Sequence, residues 1–102
     1  MIDLIKQHRE EIIALCKRYR LKSLELFGSA ASGEFDPATS DVDFFYSFDP
    51  NDLEGLEDRY FEFHESLEKL FGRKVDLVSS RYAKNPYFLK VANQHRLSLY
   101  AA

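Results

Sequence analysis

The sequence predicts an α/β (α+β) domain: a small mixed β-sheet covered by helices on one side. Three observations predict it. Short apolar segments of strand length occur at residues 23–27 (SLELF), 41–48 (DVDFFYSF) and 74–79 (KVDLVS). Apolar residues recur at helical spacing before the first segment and between the second and third. Gly, Pro and Asn/Asp stand where one pattern gives way to the next. Helices alternating with strands bury a sheet face under a helical layer. The chain has 102 residues, the length of one domain with one core. It is 45% hydrophobic with nine Phe and six Tyr, so a packed core is available.

Residues 1–22 read as a helix that covers the sheet. Ile2, Ile5, Ile12, Cys16 and Tyr19 fall on one stripe, and no Gly or Pro interrupts it. Cys16 is the one cysteine, which excludes an intrachain disulfide, and it reads as a buried small hydrophobe. His8 has no partner at metal-ligand spacing and reads as a surface residue. Residues 23–27 form the first strand. Gly28 ends it and a short Ala-rich helical turn follows at 29–32. A strand running through Gly-Ser into a helical turn can present backbone N–H groups to an anion, and the Ser29 hydroxyl can donate to a phosphate oxygen. The plain alternative is a tight turn capped by Ser29. Residues 33–40 read as a polar loop turning at Asp36-Pro37.

Residues 41–48 form a second strand, apolar on both faces as a central strand is. Asp41 and Asp43 project to the same side of it, with Val42 opposite. Asp is depleted in strands, so two in three positions is unusual. At about 4 Å and an effective dielectric of about 20, two such charges repel by about 4 kcal/mol. Protons or a cation must neutralise them. Oxygen-only ligands select a hard cation such as Mg2+, and Mg2+ points to a phosphate substrate. Ser40 stands beside Asp41, where its hydroxyl can orient a carboxylate.

Asp49-Pro50 opens a helix over about 52–71, with Asn51 and Glu54 in the form of a capping box. Leu53, Leu56, Tyr60, Phe63, Leu67, Leu70 and Phe71 make its apolar stripe, and Gly72 ends it in a left-handed conformation. His64 beside the stripe reads as packing rather than as a catalytic base. In the third strand Asp76 is a lone carboxylate among apolar residues. Asn85-Pro86 starts a last helix over about 86–94, and residues 97–100 (LSLY) read as an edge strand or as a segment lying across a partner.

The order of these residues resembles a known signature. Phe27-Gly28-Ser29, eleven residues, then Asp41-Val42-Asp43-Phe44 is similar to the motif of the DNA polymerase beta-like nucleotidyltransferase superfamily. At this length the chain looks most like the minimal nucleotidyltransferases, or MNT proteins. The family often carries Arg where Ser32 stands. The resemblance implies the polymerase beta-like fold, one or two Mg2+ ions, and ATP as substrate. It implies metal-binding and catalytic roles for Asp41, Asp43 and Asp76, and nucleotide contacts from Gly28, Ser29 and Ser40. Asp76 would accept a proton or bind the second ion. MNT proteins resemble antitoxins whose partner is a HEPN-type toxin. The implied activity is transfer of AMP to a tyrosine hydroxyl of that toxin, since larger superfamily members carry an acceptor-binding domain that 102 residues leave no room for. The alternative is a catalytically weak binding module that neutralises a partner by complex formation, which the missing Arg favours.

Charge and hydropathy bound the remaining classes. Net charge is −3 and the pI is near 5.6, which argues against a dedicated nucleic-acid binder. Between Glu34 and Glu65 eleven acids face one base, Arg59, either as a solvated helix face or as a surface for a basic partner. Arg81, Lys84, Lys90 and Arg96 make the C-terminal end basic. No run of eighteen apolar residues occurs, and the amphipathic N-terminus is not a signal peptide. The expected location is the cytoplasm, with homo-oligomerisation left open.

Overall fold

A computed structural model describes residues 1–36, 38 and 40–102, so the Pro37 half of the expected turn lies outside the described residues. Four strands form one sheet: β1 (Leu21–Phe27), β2 (Val42–Phe48), β3 (Val75–Ser79) and β4 (Leu97–Ala101). Their order is β3-β2-β1-β4. β1 pairs antiparallel with β2 and with β4, and β2 pairs parallel with β3. The mixed sheet is the predicted one, and LSLY is its edge strand. The hairpin-like β1–β2 pair holds the centre, and the 16-residue α4 (Leu56–Phe71) makes the crossover that a parallel pair requires.

Alternation sorts each strand between two faces. Leu24, Leu26, Val42, Phe44, Val75 and Leu99 point into the main core with Ile5, Ile12, Cys16, Phe63, Leu67 and Phe71. Those partners come from α1 (Asp3–Gln7), α2 (Arg9–Arg18) and α4, which form the helical layer. Cys16 is fully buried there, and burial pushes its thiol up to about 12, so it is an inert hydrophobe. The opposite face carries Phe27, Phe45 and Val78, partly roofed by α5 (Pro86–Ala92) through Phe88, Leu89 and Ala92. The short α3 (Ser29–Ser32) sits at the end of β1.

Three boundaries differ from expectation. The N-terminal helix breaks at His8 (φ −105°, ψ 12°). The His8 ring is drawn inward, edge-on to Phe71 at 5.8 Å, and Nδ1 meets Glu11 Oε1 at 3.0 Å, so it is a half-buried packing residue rather than a surface one. α2 ends at Arg18, and Arg20 turns left-handed (φ 57°) into β1. α4 starts at Leu56 rather than near residue 52, and the Asn51–Glu54 capping box does not form. The Asn51 amide instead donates to Asp49 Oδ1 at 2.8 Å, Gly55 is left-handed (φ 64°), and Leu53 is exposed. Gly72 ends α4 left-handed as expected. Among the described residues no helix is long and apolar enough to cross a membrane.

Candidate active site

The sheet brings the three aspartates to one corner. In the parallel β2–β3 register Asp43 is directly opposite Asp76, and in the antiparallel β1–β2 register it is opposite Phe27. Asp41 precedes β2 by one residue and lies across from Lys74, which precedes β3 by one. Asp41, Asp43, Lys74 and Asp76 therefore form a two-by-two block on the face opposite the main helical layer. The register sets the Asp43 and Asp76 carboxyls side by side on adjacent strands. Lys74 Nζ stands 3.8 Å from Asp41 Oδ2 and 3.8 Å from Asp76 Oδ1.

Gly28 closes the corner. It ends β1 with φ 73° and ψ −154°, a conformation open essentially to glycine alone. A Cβ there would lie 2.5 Å from Asp43 Oδ2. The absent side chain is thus the space that the Asp43 carboxylate fills. Ser29 follows as the first residue of α3, and the Gly28 carbonyl accepts from the amides of Ala31 and Ser32. Ser32, where the family often has Arg, is used locally: its Oγ donates to the Ser29 carbonyl and accepts from the Glu34 amide. Ser40 is oriented by the loop. Its Oγ accepts from the Asp36 amide at 3.0 Å and its amide donates to the Asp36 carbonyl at 2.8 Å, so it braces the loop at the entry to Asp41.

The electrostatics follow from this crowding. Burial, then the hydrogen bond and negative charge of Asp76, then the charge of Asp41, push the Asp43 carboxyl up to about 7, with Lys74 opposing them. Asp43 therefore holds a proton up to about pH 7, far above the ordinary aspartate value of 3.8. Among the described residues no three Asp, Glu, His or Cys side chains already converge as a closed metal-ligand set. The Lys74 ammonium offsets the charge of Asp41 and Asp76, and Asp43 eases the crowding by holding its own proton. His64 lies apart, its Nε2 at 2.6 Å from the Val75 carbonyl and 3.6 Å from Glu68, which makes it packing, as expected.

Sequence reasoning did not single out Lys74. Its signal was its place two residues before Asp76, on the same strand face. Nor did it foresee the aromatic floor beside the carboxylates, where Phe27 stacks on Phe45 at 4.3 Å under the edge of Phe88.

A family model described as "Nucleotidyltransferase domain" matches residues 5–99. The chain belongs to the nucleotidyltransferase family. Among curated relatives, this nucleotidyltransferase is 38% identical over 88 residues to a proposed protein adenylyltransferase, MJ1379, of Methanocaldococcus jannaschii; the match covers 86% of this chain and 83% of the relative. A solved structure described as a minimal nucleotidyltransferase superposes with a TM-score of 0.70 at 27% identity, covering 94% of this chain and 95% of the other. The nucleotidyltransferase fold also matches a chain from a complex of a tri-AMPylated HEPN toxin with an MNT antitoxin from Shewanella oneidensis. There the TM-score is 0.61 at 20% identity, over 95% of this chain and 72% of the other, a likeness of fold alone.

Proposed function

We propose that this nucleotidyltransferase moves AMP from ATP to a tyrosine hydroxyl of a HEPN-type toxin, in a Mg2+-dependent reaction that makes it the antitoxin of a cytoplasmic pair. The observation that carries the reading is the Asp43 carboxylate, packed on Gly28 and paired with Asp76 beside Asp41. The relative named for protein adenylylation supports a protein as acceptor, and the AMPylated toxin complex of the same fold supports a HEPN toxin as that protein.

The donor set fits a hard divalent cation. It is all carboxylate oxygen, it is crowded enough that Asp43 holds a proton near neutrality, and Gly28 makes the place for the Asp43 carboxylate. Asp41, Asp43 and Asp76 would hold the one or two ions. Bound Mg2+ would supply charge neutralisation for the triphosphate and for the attacking oxygen. The chain's own residues do the rest. Gly28 gives the Asp43 carboxylate its place at the corner, the Ser29 hydroxyl donates to a phosphate oxygen, and Ser40 steadies the loop that delivers Asp41. As the acceptor oxygen bonds to the α-phosphorus, the bond from that phosphorus to the β-bridging oxygen breaks. Pyrophosphate leaves with the electron pair, and an Asp76 carboxylate oxygen takes the hydroxyl proton.

A second reading, neutralisation by binding alone, is favoured by Ser32, which caps a turn where the family often presents a cation to the triphosphate. Intact-mass spectrometry of the protein encoded beside this one separates the two, after incubation with this chain, ATP and Mg2+. The expected result is a gain of AMP mass that Asp43→Asn abolishes. A stable complex with no mass gain moves the function to binding alone.

A further inference from the structure

We propose that Lys74 is a positioning residue that makes the carboxylate site selective for a metal–nucleotide complex over a free divalent cation. The inference rests on the proposed Mg-nucleotide role of Asp41, Asp43 and Asp76, and concerns which form of the metal they accept.

Lys74 is the one cation in the two-by-two block. Its ammonium stands midway between Asp41 on the β2 side and Asp76 on β3, at 3.8 Å from each. Its backbone is fixed there, because the Val42 amide donates to the Lys74 carbonyl at 3.3 Å. The side chain is 68% exposed, against 39% for Asp41 and 44% for Asp76, so it reaches the carboxylates from solvent and is free to swing away. A divalent cation that takes Asp41 and Asp76 as ligands must displace this ammonium or be repelled by it. A free cation therefore competes with a tethered one that is always present. A cation arriving on a nucleotide brings phosphate oxygens with it, and the displaced ammonium exchanges carboxylate for phosphate, an equally good partner for lysine. The same residue opposes one ligand and favours the other.

This gives effects of opposite sign from one substitution. Lys74→Met keeps the length and apolar stem and removes the charge. It should bind Mn2+ alone about three- to tenfold more tightly, the size expected of two half-exposed ion pairs. It should bind a non-hydrolysable ATP analogue, at saturating Mn2+, about three- to tenfold more weakly. Lys74→Arg should stay near the parent on both. Electron paramagnetic resonance of unbound Mn2+ reads the first affinity and calorimetry the second, neither needing turnover. Unchanged or weaker Mn2+ binding by Lys74→Met overturns the inference, as does unchanged or tighter analogue binding. Asp43→Asn tests the underlying site separately. If it binds Mn2+ as tightly as the parent, the carboxylate site itself is misassigned; if it loses Mn2+ while Lys74→Met behaves as the parent, only the role of Lys74 fails.

Discussion

Gly28 and Asp43 are fifteen positions apart and meet in one corner, where the missing Cβ of the first is occupied by the carboxylate of the second. The consequence is a carboxyl whose proton is held to about pH 7 by burial and by its two acidic neighbours. That shift has a sign for stability. The folded value lies above the ordinary aspartate value of 3.8, so between the two the folded chain binds more protons than the unfolded one. The contribution of Asp43 is fully present below about pH 4 and is lost as pH rises through about 7. In metal-free buffer the parent should therefore lose urea resistance relative to Asp43→Asn as pH rises from 5 to 8, because the amide has nothing to ionise. Unfolding curves for both proteins in chelator at four pH values measure the gap. Parallel profiles would mean that Asp43 is not the crowded carboxyl of the folded state. The aspartates themselves were legible in the sequence because alternation along a strand is a strict rule. The raised Asp43 carboxyl was not, because it depends on burial and on strand neighbours that only the register supplies.

At the scale of elements, the start of α4 is decided by one buried side chain. Arg59 is 6% exposed, and its guanidinium donates to the carbonyls of Tyr19 (2.9 Å), Arg20 (3.0 Å), Asp52 (2.9 Å) and Glu54 (3.0 Å), with Phe48 beneath it at 5.0 Å. Two of those carbonyls belong to the turn where the sequence placed the first coil of the helix. Turned toward Arg59, they cannot accept along a helix axis, and Gly55 in its left-handed conformation restarts the chain at Leu56. Pattern reading saw Arg59 only as the lone base in an acidic stretch. A guanidinium that gathers carbonyls from two distant segments leaves no periodic trace. The strands and Gly72 were legible because period-two alternation and a helix-ending glycine are local signals. The break at His8 was not, since its cause is a ring contact with Phe71 sixty-three residues away. Removing Arg59 should be costly in proportion. Arg59→Met takes the guanidinium donor from the Tyr19, Arg20 and Asp52 carbonyls and leaves Glu54 only Arg20, and a loss of about 3 kcal/mol is expected. Arg20→Ala, at an exposed ion pair with Asp52, should cost far less. Chemical denaturation of the two variants gives the comparison. Equal small losses would show that water replaces the guanidinium and that the 49–55 turn does not depend on it.

The molecule as a whole carries its charge unevenly, and that makes the carboxylate corner testable without any partner. The net charge is −3, with three acids concentrated at the corner and the basic residues Arg81, Lys84, Lys90 and Arg96 beyond β3. ATP alone carries several negative charges and should be repelled by the corner. ATP with Mg2+ should not be, because the cation neutralises both sides of the contact. A ligand present at about 100 times its dissociation constant adds roughly 2.7 kcal/mol to stability. For a domain of this size that corresponds to a rise in Tm on the order of 10 °C. The expected pattern is a clear rise with Mg-ATP, little or none with ATP in chelator, and a smaller rise for Asp43→Asn with Mg-ATP. Differential scanning fluorimetry reads all three in one experiment. A rise with ATP that survives chelation and Asp43→Asn would move the nucleotide away from Asp41, Asp43 and Asp76. The basic end of the chain would then be where triphosphate binds, and the corner would need a different explanation for its crowded carboxylates.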